Sequence, residues 1–244
     1  MAWESLLFYE QKISSGGLSA EETEGTLMEG TRAGVTFAEA QMQALSRIAA
    51  MPKGKSLFCP ICGEKCADGH ALTIHYFKTH PGEIAPAAVR LTVNGQECTL
   101  LTEPQATLQE ALQHHLGLTG AKHMCDRGQC GSCTVILNGR PALSCNLLAA
   151  DCDGMTVQTV EGIAADPKWR PLIDAYCKWD AMQCGYCTPG FLVAAKCLLD
   201  WNPCPTAGDI KDALSGNICI CGTYPRHTQA ILEAVTVMSK GGEV

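Results

Sequence analysis

The chain of 244 residues is short of positive charge, of long apolar stretches and of any recognisable targeting segment, and each shortage removes a class of function. Lys and Arg number 18 against 25 Asp and Glu, for a net charge of -7. A general nucleic-acid binder carries a basic excess that displaces phosphate counterions, so no nucleic-acid partner is expected. No run approaches 18 apolar residues, so no membrane span is expected. The opening Met1-Ala2-Trp3-Glu4-Ser5-Leu6-Leu7 has no basic region, sustained apolar stretch or small-residue cleavage site. Neither a secretory nor a twin-arginine signal is therefore expected, and the expected location is cytoplasmic. A glycine-rich phosphate motif and a nucleophile-base pair are missing too, so no catalytic residue is assigned to this chain.

Cysteine is what the chain has in quantity. Its 16 cysteines are about 7% of the residues, below the roughly 8–10% of a small secreted disulfide scaffold. In a reducing compartment thiols stay free, and grouped ones hold metal or do redox work.

Periodicity divides the chain. Phe37, Met42, Leu45, Ile48 and Met51 recur at helical spacing and predict a helical N-terminal arm within residues 1–55. Over 88–101, Val89, Leu91 and Val93 alternate with polar residues before Asn94-Gly95, a type I′ hairpin signal. Thr107 and Glu110 form a capping-box pattern ahead of Leu108, Leu112 and Leu116, and Gly117 ends that helix. A second hairpin turns at Asn138-Gly139, and a further strand is expected over Thr156–Val160. Strands around one helix imply a small α+β domain over 88–162. After Gly162 helices are expected near 171–179, 189–201, 207–215 and 225–238, a four-helix bundle over 163–240. Thr206 suits an N-cap, and Pro189 and Pro225 suit first-turn positions.

The first cysteine group, Cys125, Cys130 and Cys133 with Cys145 further on, has the Cys-x4-Cys-x2-Cys spacing of a plant-type 2Fe-2S site. The glycines between them let a loop wrap a cluster and aim N–H groups at sulfur. The second group pairs Cys184-Gly185-Tyr186-Cys187 with Cys219-Ile220-Cys221, each just ahead of an expected helix. This internal repeat would gather four thiolates at helix N-termini, whose partial positive charge favours an anionic centre. Taken alone these pairs are compatible with zinc as well as with a second iron–sulfur cluster.

The stretches Met124-Cys125-Asp126-Arg127-Gly128-Gln129-Cys130-Gly131-Ser132-Cys133, Gln183-Cys184-Gly185-Tyr186-Cys187-Thr188-Pro189-Gly190 and Gly216-Asn217-Ile218-Cys219 resemble the small iron–sulfur subunit of xanthine dehydrogenase and aldehyde oxidase type molybdenum hydroxylases. The resemblance covers about residues 88–238. It implies a β-grasp ferredoxin-like domain with a distal 2Fe-2S cluster on Cys125, Cys130, Cys133 and Cys145. It also implies a helical domain with a proximal cluster on Cys184, Cys187, Cys219 and Cys221. By the same resemblance Gln183 hydrogen-bonds a molybdopterin held by a large catalytic subunit, and Cys221 lies close to that pterin. Electrons would pass through both clusters to a flavin subunit or another acceptor. Two departures stand out: Ile220 where the family commonly has arginine, and Met124 where it has glycine.

Outside the resemblance, Cys59, Cys62, His75 and His80 fit the Cys-x2-Cys-x12-His-x4-His spacing of a zinc finger, within a module over 56–82. Leu72 takes a usual core position, while Cys66 replaces the usual aromatic and offers an alternative ligand. The base-reading positions hold Asp68, Ala71 and Ile74, poor readers of bases. Of the six remaining cysteines, Cys66, Cys98, Cys152, Cys177, Cys197 and Cys204, most are expected to be buried hydrophobes. The expectation is an α+β protein with an N-terminal helical and zinc-finger-like extension, acting as an electron-transfer subunit. A free ferredoxin-like shuttle and a redox-sensing zinc-finger regulator are the alternatives.

Overall fold

The computed structural model describes residues 43–44, 46–51, 57–59, 61–80 and 86–241. Phe37, Met42 and Leu45 of the expected arm lie outside the described residues. Ile48, in a helical stretch with its neighbours, is fully buried.

Two short strands, β1 (Leu57–Phe58) and β2 (Lys65–Cys66), pair antiparallel and lead into helix α1 (Gly69–Thr79). The Asp68 carboxylate caps α1 by accepting from the Ala71 N–H at 2.8 Å.

The alternation of Val89, Leu91 and Val93 becomes β3 (Ala87–Val93), returning as β4 (Gln96–Thr102). Asn94 and Gly95 both have positive φ, 51° and 81°, as a type I′ turn requires. Asn138 and Gly139 repeat the device between β5 (Thr134–Leu137) and β6 (Arg140–Leu143). Strand β7 (Thr156–Gln158) enters between the hairpins, parallel to β3 and antiparallel to β5, giving the order β4-β3-β7-β5-β6. Helix α2 (Leu108–Glu110) runs on into a π-helical turn, Ala111–His115. The Thr107–Glu110 capping box is formed, and Leu108 and Leu112 are fully buried in one core with Val89, Val135 and Val157.

The strand expected through Val160 stops at Gln158, because Asn94 bonds the next residue through both side-chain groups. Its Oδ1 accepts from the Thr159 N–H at 2.9 Å and its Nδ2 donates to Thr159 Oγ1 at 3.0 Å. The chain then starts α3 (Val160–Ala165).

Four longer helices follow: α4 (Arg170–Lys178), α5 (Thr188–Trp201), α6 (Ala207–Ala213) and α7 (Tyr224–Gly241). Thr206 caps α6 in a reciprocal capping box with Asp209, and Pro189 lies in the first turn of α5. Their apolar faces close on a second core around Leu172, Tyr176, Phe191, Ile210 and Ile231. The architecture is the expected α+β one, a ferredoxin-like sheet followed by a helical bundle.

The two cores meet backbone to backbone. A Cβ on Gly190 of α5 would stand 2.3 Å from the Gly131 carbonyl oxygen, and one on Gly131 would stand 2.5 Å from the Gly216 carbonyl oxygen. Only glycine fits there. Among the described residues no helix is long and apolar enough to cross a membrane.

Candidate metal centres

The loop that carries the first cysteine group turns on three residues of positive φ, Asp126 (51°), Gly128 (70°) and Gly131 (71°). Cys130 lies close enough to Cys125, and Cys145 close enough to Cys133, to shift its neighbour's proton affinity. Cys130 and Cys133 are buried, whereas Cys125 and Cys145 are half-buried. Backbone N–H groups, foremost that of Arg127, bring the Cys125 thiol down to about 6; the Gln129 N–H also reaches its sulfur, at 3.4 Å. Burial pushes Cys133 up to about 12. Loading with iron must therefore expel a proton there.

The second group sits where helices begin. Cys187 immediately precedes α5, and Cys219 and Cys221 precede α7. Cys184 and Cys221 bring their sulfurs to 3.6 Å, and Cys219 lies close enough to Cys187 to raise its pKa. Cys187 and Cys219 are buried, Cys184 is exposed and Cys221 is half-buried. Burial pushes Cys187 up to about 12. At Cys219 burial raises the pKa, but hydrogen bonding, chiefly from the Thr223 hydroxyl, outweighs it and brings the thiol to about 7. Two sets of four thiols are the donor chemistry that a 2Fe-2S cluster takes.

The supports of Cys219 were not foreseen from spacing. Thr223 Oγ1 lies 3.2 Å from Cys219 Sγ and 3.0 Å from His227 Nε2. His227 is fully buried and stacked on Phe191, with ring centroids 4.0 Å apart. Burial brings its pKa down to about 4, so the ring is neutral near pH 7. The Tyr224 hydroxyl accepts from the Cys219 N–H at 2.7 Å. Thr223 and His227 are four residues apart, a helical spacing that could have been read behind a candidate ligand.

The two groups are joined directly. The Ile218 N–H donates to the Cys130 carbonyl at 2.8 Å, and the buried Asn217 donates through Nδ2 to the Gly131 carbonyl at 3.0 Å. The Tyr186 hydroxyl donates to the His123 carbonyl. Gln183 is exposed, as is Ile220 at 84%.

A third constellation lies apart from these. The ligand atoms of Cys59, Cys62, His75 and His80 all fall within 4.8 Å of one another. Cys66 is not among them: it is buried with Leu72 and Tyr76 in an apolar core.

Of the other cysteines Cys152 and Cys197 are buried and Cys98 half-buried, but Cys177 and Cys204 are exposed, so burial is less general than expected. His114 and His115 are exposed, Trp169 is buried, and Trp179 and Trp201 are exposed.

Comparison with known proteins agrees with this arrangement. Residues 91–156 match the family model described as a 2Fe-2S iron-sulfur cluster binding domain, and residues 159–232 match a [2Fe-2S] binding domain. The nicotinate dehydrogenase small FeS subunit of Eubacterium barkeri is 44% identical over 147 residues, 60% of this chain and 94% of that one. One chain of a probable xanthine dehydrogenase of Bacillus subtilis is 35% identical, covering 59% of this chain and 83% of that one. A chain of quinoline 2-oxidoreductase from Pseudomonas putida 86 superposes with a TM-score of 0.61 at 38% identity, over 65% of this chain and 99% of that one. With both domain types in this order, and near full-length matches to such subunits, the chain belongs to the small 2Fe-2S iron–sulfur subunits of the xanthine dehydrogenase and aldehyde oxidoreductase type molybdenum hydroxylases.

Proposed function

We propose that Cys125, Cys130, Cys133 and Cys145 ligate a distal 2Fe-2S cluster, that Cys184, Cys187, Cys219 and Cys221 ligate a proximal one, and that the chain relays electrons between a large molybdopterin-binding subunit and a flavin subunit or another acceptor. When bound, each cluster supplies a one-electron store. The observation that carries this reading is the gathering of eight thiols into two sets of four, with the Cys184 and Cys221 sulfurs 3.6 Å apart.

The protein's part is to fix positions and fields. Backbone N–H groups around Cys125 and the N-termini of α5 and α7 favour negative charge on the sulfurs. Ile218 and Asn217 bond the second loop to the backbone of the first and set the separation of the sites. Gln183, Cys184 and Ile220 present the proximal side to a partner, with Gln183 and Cys221 toward the pterin. Substrate chemistry belongs to that partner. Thiols reserved for metal in such number suit a reducing, cytoplasmic location.

The test is electron paramagnetic resonance of the reduced, anaerobically purified protein. Two distinct signals are expected, and Cys187→Ser should abolish one and leave the other. Retention of both signals in that variant would refute the assignment.

A further inference from the structure

Neither family model reaches the module formed by β1, β2 and α1, which begins at Leu57. We propose that Cys59, Cys62, His75 and His80 hold a structural zinc ion that folds this module against the outer face of β3 and β4.

The geometry is that of a single tetrahedral ion. Zn–S bonds of about 2.3 Å and Zn–N bonds of about 2.0–2.1 Å at tetrahedral angles put sulfur and nitrogen about 3.6 Å apart. Cys59 Sγ is 3.5 Å from His80 Nε2, and Cys62 Sγ is 3.2 Å from His75 Nε2. A dinuclear cluster with mixed ligands would instead place both thiolates on one iron and both imidazoles on the other. Here each thiol meets an imidazole, and all four ligand atoms lie within 4.8 Å of one another. Four protein donors leave no open position, so the ion is structural.

The surroundings are organised as a metal site's are. His75 presents Nε2 to the ligand group, while its Nδ1 faces Glu64 Oε2 at 3.4 Å and Thr79 Oγ1 at 3.4 Å. A proton on Nδ1 directed at the carboxylate leaves the Nε2 lone pair for the metal and raises its basicity. Glu64 is thus a positioning residue. The Cys59 N–H donates to the Glu64 carbonyl at 2.8 Å and the Gly63 N–H to the Cys59 carbonyl at 2.8 Å, so one tight turn sets two ligands and Glu64.

The module does not close a core by itself. Leu72, Tyr76 and Cys66 pack with Ile48, Ala88 and Leu101. Ala88 and Leu101 are cross-strand partners one step along from Val89 and Leu100, so they point to the face away from α2. A Cβ on Gly69 would stand 1.9 Å from the Ile48 carbonyl oxygen, which shows how closely α1 is seated. A piece this small needs its metal to hold that seat.

The experiment is zinc-edge X-ray absorption with metal analysis on the full chain, purified anaerobically with its clusters. We expect about one zinc, with two sulfurs near 2.3 Å and two nitrogens near 2.0–2.1 Å. No zinc, or zinc bound by sulfur alone as in a misloaded cluster site, would overturn the proposal. Cys59→Ser should lose zinc, keep both iron signals and raise amide exchange around Leu101; an equal loss of iron, or unchanged exchange, would overturn the separate site or its docking role. Glu64→Gln should keep the fold and surrender zinc to the chelator 4-(2-pyridylazo)resorcinol about 10–100 times more readily. Surrender at the wild-type rate would overturn the role given to Glu64.

Discussion

Replacing Thr223 with valine removes one hydroxyl and almost no volume, and its effect on the proximal cluster can be worked from two contacts. Thr223 Oγ1 is 3.2 Å from Cys219 Sγ and 3.0 Å from His227 Nε2. A ligating Cys219 has no proton, so Thr223 donates to the sulfur and accepts from His227 Nε2–H. The neutral His227 suits that direction, its Nδ1 being left without a partner. A hydrogen bond to a charged acceptor contributes about 1.5–3 kcal/mol. Reduction adds one negative charge shared over the whole cluster, so about a third of that bond, roughly 0.5–1 kcal/mol, strengthens with the electron. At 59 mV per 1.4 kcal/mol for one electron, Thr223→Val should make the proximal potential about 20–40 mV more negative. A redox titration followed by electron paramagnetic resonance measures it, with the distal signal as internal reference. An unchanged or raised proximal potential at full iron content would refute the hydrogen-bond argument.

Two further outcomes follow from buried groups. The pKa of His227 falls from 6.5 unfolded to about 4 folded, so the unfolded chain binds the extra proton and stability is lost as pH drops below 6.5. Between pH 6.5 and 5 this contributes about 1.5 kcal/mol of loss that His227→Phe should abolish; equal pH slopes of the denaturation midpoint in the two proteins would contradict it. Gly190→Ala forces a Cβ to within 2.3 Å of the Gly131 carbonyl oxygen and should cost about 1–3 kcal/mol in thermal unfolding. Gly208→Ala in α6, whose nearest contact would be 3.5 Å, is the neutral control, and equal melting of the two variants would refute the close approach.

The sheet was legible because its signals are local. Alternation at Val89, Leu91 and Val93, paired type I′ turns at Asn94-Gly95 and Asn138-Gly139, and the Thr107–Glu110 capping box each act within a few residues. The end of β7 was not legible, because Asn94 stops it from 65 residues away. Spacing alone gathered the candidate ligands into three sets, and the structure brings members of each set close together. Thr223 and His227 behind Cys219 follow at four-residue steps and were there to be read, but spacing could not supply Glu64 behind His75 or the Ile218 to Cys130 bond between the loops. Those depend on tertiary approach, as does the exposure of Cys177 and Cys204, whose hydrophobic character alone suggested burial.

The most direct test of the central claim is the iron and molybdenum content of the native complex, purified anaerobically through a tag on this chain. About four irons and about one molybdenum per copy are expected for two 2Fe-2S clusters serving a molybdopterin partner. Four irons without molybdenum would contradict the partnership, and zinc without iron would contradict the electron-transfer role itself.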